Sequence, residues 1–285
     1  MSDKEEVKYL FRAKTKETDA FVIKILGELL SNVVKWAPFS VTENGIQLTQ
    51  RDTKNEQLIS IQLNKNDFHV FKCTQPIHFL VNSTTFYKMV KAIKKKDTVT
   101  IFITEEEPLK LGITVEQNAE KNKVTTYIKI SYHRPEDIQL GNKEEYGNPL
   151  IISSKEYQKM KNLQSISHNG ELKLTCNHGE LKFFCDGGEV YSRELVIKTE
   201  QEDEGENLPD KYEQTYKAQC ITQLTKCAGQ SGNTVHMFIK KELPLKIKMR
   251  AGNLGELTVY IKSKEMLDLE EEENEEEDAE NENSS

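Results

Sequence analysis

Apolar residues at Phe21, Val22, Ile25, Leu26, Leu29, Leu30 and Val33 recur at helical spacing, so the segment from about Asp19 to Lys35 is predicted to be a helix with this stripe turned to a core. The pattern then shortens to runs of strand length: Phe39 to Val41, Gly45-Ile46-Gln47-Leu48-Thr49 behind the Asn44-Gly45 turn, Leu58 to Leu63, and Ile77 to Val81. Such runs predict antiparallel sheet. A second helix is predicted over Ser83 to Lys94, capped by Asn82 or Ser83, with Phe86, Met89, Val90 and Ile93 inward. Strands at Thr98 to Ile103, Leu109 to Val115 and Val124 to Ser131 complete the first half.

The second half repeats the first in its letters. Thr98-Val99-Thr100-Ile101-Phe102-Ile103 returns 136 positions later as Thr234-Val235-His236-Met237-Phe238-Ile239, and Pro108-Leu109-Lys110 returns at the same offset as Pro244-Leu245-Lys246. Each half also places a short helix before its Thr-Val strand, Ser83 to Lys94 and Ala218 to Ala228, and a further helix is predicted over Ser154 to about Leu163. The expected fold is α+β, with two similar halves, each of antiparallel sheets and two helices. The boundaries that follow are a flexible 1–8, an N-terminal domain over 9–131, a polar connector over 132–148, a C-terminal domain over 149–264 and an acidic tail over 265–285. Residues 199–211, rich in Glu and Asp, read as a loop, and the tail has too few apolar residues to offset its ordering entropy, so disorder is expected there.

That tail changes the meaning of the net charge. The chain is −8 overall, but 12 of its 47 acids lie in 265–285, where no base occurs; the remaining 35 face 39 Lys and Arg, so the body is +4. A mildly basic body is compatible with loose, sequence-independent phosphate contacts. Lys88, Lys91 and Lys95 share one face of the second helix, Lys155 and Lys159 repeat the arrangement on the third, and Lys226 ends the fourth. A solvated lysine face is ordinary on one helix; its recurrence in both halves points to a shared ligand. The few arginines lie off these faces, which argues against base readout.

Other chemistry finds little support. The five cysteines (Cys73, Cys176, Cys185, Cys220, Cys227) form no CxxC pair and read as buried thiols of a reducing compartment; Cys176 with His178 lacks a second pair of ligands, so no metal is expected. Neither a Walker loop, a dinucleotide fingerprint, a nucleophile elbow nor a zinc-protease helix occurs, so neither an enzyme nor a cofactor is expected. The N-terminus has no apolar leader and no window reaches membrane-spanning length, so a soluble intracellular protein without a membrane partner is expected.

From about Tyr9 to Ile261 the chain resembles proliferating cell nuclear antigen, the eukaryotic-type DNA sliding clamp. The resemblance rests on order and spacing: Asn44-Gly45-Ile46-Gln47-Leu48 leading to Asp52, Phe68 to Cys73, Val81-Asn82 before the Lys88 and Lys91 helix, Gln139-Leu140-Gly141 with Glu145-Tyr146, the Cys176 to Phe183 hairpin, Thr225-Lys226, Leu243-Pro244-Leu245, and Leu257-Thr258-Val259-Tyr260. It implies a clamp fold whose copies close head to tail into a homotrimeric ring lined by helices. It further implies pairing of Leu109 to Val115 of one copy with Gly179 to Cys185 of the next. Lys24, Lys88, Lys91, Lys159 and Lys226 match the family's DNA-facing cations, with Lys95 and Lys155 beside them. A pocket for partner peptides would map to Arg51, Ile138, Leu140, Pro244 and Tyr260.

The implied function is that of a processivity factor in DNA replication and repair. It would encircle double-stranded DNA and tether a DNA polymerase and other peptide-motif proteins, after opening by a separate clamp loader, in the nucleus or at a viral replication site. Arg51, Asn142-Lys143 and Lys262-Ser263 depart from the family, predict a more polar pocket, and mark a divergent lineage, a large DNA virus or a protist. The alternative is a checkpoint-type or transcription-assisting clamp relative acting in a hetero-oligomer; a third reading is an unrelated β-rich scaffold.

Overall fold

The computed structural model describes residues 7–117, 121–136, 138, 146–167, 169–177, 179–189, 191–199 and 211–283, with side chains to 275. The chain divides into two compact units. The first takes Met1–Thr53, Ile59–Gln139 and Arg250–Leu257; the second takes Lys54–Leu58, Leu140–Met249 and Thr258–Ser285.

In chain order the first unit's elements are β1 (Tyr9–Lys14), α1 (Ala20–Val33), β2 (Trp36–Thr42), β3 (Gly45–Arg51), β4 (Gln57–Asn64), β5 (Val70–Cys73), β6 (Ile77–Asn82), α2 (Ser83–Val90), β7 (Thr98–Thr104), β8 (Lys110–Gln117), β9 (Asn122–Lys129) and β10 (Ser131–Tyr132). One sheet runs β5-β1-β7-β8-β9, and a second run of paired strands has the order β10-β6-β2-β3-β4. The predicted stripe on α1 is buried at Val22, Ile25, Leu26, Leu29, Leu30 and Val33, with Phe21 only half-buried, together with Phe11, Ile61, Ile101 and Leu111 from the strands. Each such side chain contributes about 1.5–3 kcal/mol of burial. The Asn44-Gly45 turn works as its letters suggest: Gly45 sits at φ 147°, and a Cβ there would lie 2.0 Å from the carbonyl oxygen of Leu63.

The second unit runs β11 (Leu150–Ser153), α3 (Ser154–Gln158), β12 (Glu171–Asn177), β13 (Glu180–Asp186), β14 (Ser192–Lys198), β15 (Tyr212–Lys217), α4 (Ala218–Thr222), α5 (Thr225–Ala228), β16 (Thr234–Phe238), β17 (Leu245–Ala251), β18 (Gly255–Ile261) and α6 (Lys264–Asn283). Its strand orders are β14-β13-β12-β15 and β18-β17-β16-β11. The first reproduces β4-β3-β2-β6 and the second β9-β8-β7-β1, strand for strand. The repeated letters of β7 and β16 thus occupy equivalent strands, each followed by an antiparallel partner, β8 or β17. Two β-rich units with helices give the expected α+β class.

Several expectations change. Leu109 to Val115 and Gly179 to Cys185 are not edges: β8 pairs on both sides, with β7 and β9, and β13 with β12 and β14. The outer strands are β9 and β14. The second helix is shorter than its periodicity, ending at Val90, with Lys91 as its last capping residue. The third stops at Gln158 and tightens into a 3-10 turn over Lys159–Asn162; the fourth breaks into α4 and α5. In these short segments buried Tyr157, Met160, Ile221 and Leu224 fix the path, so packing overrides helical regularity.

The acidic end, expected to be disordered, forms α6. Its start supplies what composition hides: the Ser263 hydroxyl accepts from the Met266 N–H at 3.2 Å, Lys262 pairs with Glu270 at 2.6 Å, and Lys264 pairs with Glu171 at 2.6 Å. Acids near a helix N-terminus also suit its dipole. At the adjacent strand, the Thr215 N–H donates to both carboxylate oxygens of Glu265, at 3.0 and 3.1 Å. The outer side of β15 is thereby capped.

Candidate functional site

The lysines singled out from sequence fall on or just beyond the helices, in differing environments. Lys88 lies on α2, whose start is fixed by Asn82, its side-chain oxygen accepting from the N–H and the hydroxyl of Thr85, each at 2.9 Å. Phe86 and Val90 on its inner side are buried, and Val90 and Phe86 meet α1 at Gly27, where a Cβ would come within 2.9 Å of Val90. Lys88, Lys91 and Lys95 are exposed, the last two in the turns after the helix. Lys24 on α1 is half-buried: its Nζ donates to the Ile93 carbonyl at 3.3 Å and lies 5.1 Å from the Phe21 ring centroid.

In the second unit Lys155, Lys159 and Lys226 are exposed. The helices carrying them are locked from beneath: the Tyr157 hydroxyl donates to the Ile221 carbonyl at 3.0 Å, and the Ser154 and Ser231 hydroxyls bond at 2.7 Å. Lys159 has an acidic partner of its own, Glu156, which holds its Nζ at 2.6 Å across one helical turn. Like any exposed pair this one is weak, yet it dilutes the local positive charge.

The residues mapped to a partner pocket are distributed over both units. Arg51 is exposed at the end of β3, and Ile138 is half-buried. Leu140 lies outside the described residues, as do Asn142, Lys143 and His178. Ile138 lines a cavity of about 160 Å³ with Pro38, Ser40, Gln47, His78 and His133. Across β2 and β6, Ser40 and His78 are register partners, and the Ser40 hydroxyl bonds the His78 Nδ1 at 2.8 Å. The His133 N–H donates to the His78 carbonyl at 3.0 Å, so the chain leaving β10 is stitched to this sheet.

Pro244 and Tyr260 belong to the second unit. The Tyr146 hydroxyl donates to the Pro244 carbonyl at 2.9 Å, and the Tyr146 ring stands 6.1 Å from Phe238 and 6.4 Å from Tyr260. Burial raises the pKa of the Tyr260 phenol, which keeps it neutral. Sequence reading missed the centre of this group, Lys246, which is only 4% exposed. Its Nζ lies 5.0, 4.8 and 5.6 Å from the ring centroids of Tyr146, Phe238 and Tyr260. Strand alternation alone would have placed it opposite Leu245 and Ile247, on an outer face; the aromatic cover was the unread signal.

Four cysteines are buried and Cys73 is half-buried. Among the described residues no cluster of His, Cys, Asp and Glu has the makings of a metal site, and no helix is long and apolar enough to cross a membrane.

Against this geometry the comparisons are consistent in kind. Residues 10–133 match the family described as proliferating cell nuclear antigen, N-terminal domain. A DNA polymerase sliding clamp of Nitrosopumilus maritimus is 27% identical over 255 residues, covering 88% of this chain and 97% of the relative. One of Cenarchaeum symbiosum is 23% identical over 258 residues, with 88% and 97% covered. A proliferating cell nuclear antigen of Chaetomium thermophilum is 23% identical over 253 residues, with 86% and 95% covered. These similarities are all to proteins of the sliding-clamp type.

Proposed function

We propose that the chain is a sliding clamp whose copies close into a ring around duplex DNA and hold a polymerase and other partners there. The observation that carries this reading is the duplication: one strand order occurs twice, and in each unit lysine-bearing helices follow corresponding strands. Collinear similarity to clamps over most of both lengths supports it.

In this reading Lys24, Lys88, Lys91, Lys95, Lys155, Lys159 and Lys226 meet phosphate. Contacts of that kind are strongly salt-dependent and indifferent to sequence. The exposed lysines of α2 and the turns behind it carry more of the contact than Lys24 and Lys159, which have partners of their own. Copies join by adding β9 of one to β14 of the next, so that a homotrimer closes head to tail. The exposed Val124, Tyr127 and Val196 on these two strands would be covered by that junction. Partners dock at Arg51, Ile138, Leu140, Pro244 and Tyr260, and a loader opens the ring. The protein acts where duplex DNA is copied, in the nucleus or at a viral replication site.

Processivity then arises from linkage rather than affinity: a tethered polymerase keeps a high effective concentration at the primer end. The deciding experiment is retention on nicked circular DNA after loading. Retained protein that is released on linearising the circle is expected. Equal retention on both forms would show binding without encirclement. A monomer in light scattering that assembles only with other subunits would favour the hetero-oligomeric alternative.

A further inference from the structure

The outer face of the sheet β5-β1-β7-β8-β9 carries a row that crosses all five strands. Lys72, Arg12, Phe102, Gly112 and Tyr127 stand opposite one another in successive registers, so their side chains share one face. The other face belongs to the core, with Phe11, Ile103, Leu111 and Ile113 buried there. A Cβ on Gly112 would lie 2.3, 2.5 and 2.7 Å from Cζ, Cε2 and Cε1 of Phe102. Distances so nearly equal place that point beneath the ring rather than beyond its rim, where Cζ alone would be close. The Phe102 ring therefore lies flat across Gly112, with its second face turned away from the sheet. Tyr9 of β1 and Tyr127 of β9 stand upright against it from opposite sides, at interplanar angles of 88° and 86°. Together the three rings form a slot with an aromatic floor and two aromatic walls.

Cations flank the slot. The Arg12 guanidinium, a permanent positive charge, lies 5.0 Å from the Tyr9 ring centroid, and Lys72 and Lys129 are exposed. Glu116, farther along the face, is bracketed by Lys14 at 2.8 Å and Lys123 at 3.5 Å. A flat, outward ring face takes a planar ring by stacking, and cations beside it suit a phosphate backbone. A cage for an organic cation would need the opposite charge around it. Bases of a duplex are already stacked on each other, so only an unpaired strand can lay one on Phe102.

We propose that this face binds a single DNA strand, with one base stacked on Phe102 between Tyr9 and Tyr127 and the neighbouring phosphates on Arg12, Lys72 and Lys129. The slot lies on the side of the sheet away from α1, whose Leu26 and Leu30 line one cavity with Phe11 and Leu111 of the buried face. Strand addition at β9 runs in the plane of the sheet and leaves the face over Phe102 open. Binding of a short strand here needs no encirclement, so the slot and the ring stand or fall separately.

The test measures fluorescence anisotropy of two labelled oligomers on the full chain, oligothymidine and an abasic oligomer of the same length, across a salt series. Oligothymidine should bind about tenfold more tightly. That ratio should hold while rising salt weakens both oligomers. It should vanish in Phe102→Leu, persist in Phe102→Trp and fall in Tyr127→Ala, a change at an exposed position, with urea unfolding showing each variant folded. Lys72→Ala with Lys129→Ala should weaken both oligomers alike. Equal binding of the two oligomers to the unaltered protein would overturn the slot as a base site and leave the ring reading standing. A ratio that survives both Phe102→Leu and Tyr127→Ala would overturn it as well. Displacement of oligothymidine by an acidic aromatic peptide at lower concentration than by unlabelled oligothymidine would assign the face to a protein partner and overturn the proposal.

Discussion

At the scale of single residues, close approaches decide what the sequence will tolerate. Gly112 on β8 faces Phe102 across β7, and a Cβ at Gly112 would lie 2.3 Å from the end of that ring. Phe102 in turn stacks edge-on between Tyr9 and Tyr127, at centroid distances of 5.7 and 6.1 Å. A side chain at 112 must push the ring out of a row spanning three neighbours. Gly112→Val is expected to cost about 1–3 kcal/mol in urea unfolding, and an unchanged midpoint would contradict the overpacking argument. The cysteines give a second check. Burial pushes the Cys185 thiol up to about 11 and also raises Cys176, so neither presents much thiolate at pH 8. Iodoacetamide should modify the native protein slowly and at Cys73 alone, the other four reacting after denaturation; mass spectrometry of the peptides reads this directly. Sequence predicted buried thiols in general. It had no way to expose Cys73 or to enclose Lys246, because both depend on contacts between segments far apart in the chain.

At the scale of elements, the strong periodicities were legible and the short helices were not. The α1 stripe is so long and regular that its burial follows from spacing alone, and Asn82 caps α2 as its chemistry suggests. In the second unit α3 and α4 are five residues long and α5 is four, below the length at which propensity or period has authority. Their course is set by the tertiary bonds of Tyr157 and Ser154. The same distinction ranks the lysines. Replacing Lys88 and Lys91 by Ala should weaken duplex binding uniformly across sequences and reduce the slope of log affinity against log salt by roughly one to two units. Replacing Lys159 should change that slope by less, since Glu156 already compensates its charge. Affinity measured across a salt series separates the two cases, and equal slopes for both variants would remove the ranking.

For the whole molecule, the duplication was legible because identical letters recur at one offset, and strand order bears the same plan twice. The identity of the outer strands was misread by one strand in each unit. Alternating patterns look alike in a central and an edge strand, so the pattern alone did not show that β9 and β14 lie outside β8 and β13. Exposed Val124 and Tyr127 now mark the first unit's outer strand. If the proposed ring forms, Val124→Lys combined with Tyr127→Lys should convert it into monomers by light scattering without changing the subunit's free energy of unfolding by more than about 1 kcal/mol. A trimer that survives the double substitution would place the junction elsewhere.

The capped side of β15 has a consequence for growth. With Glu265 occupying the Thr215 N–H, the sheet β14-β13-β12-β15 offers strand addition at β14 and refuses it at the opposite margin. In the ring proposed above each copy would then be a one-way connector, and a set of one-way connectors stops growing only when the last meets the first. The acidic helix, which touches no DNA in this reading, would by this route act as a stopper against branching. A chain ending at Ile261 would acquire a second growth point and trade one defined size for a ladder of them.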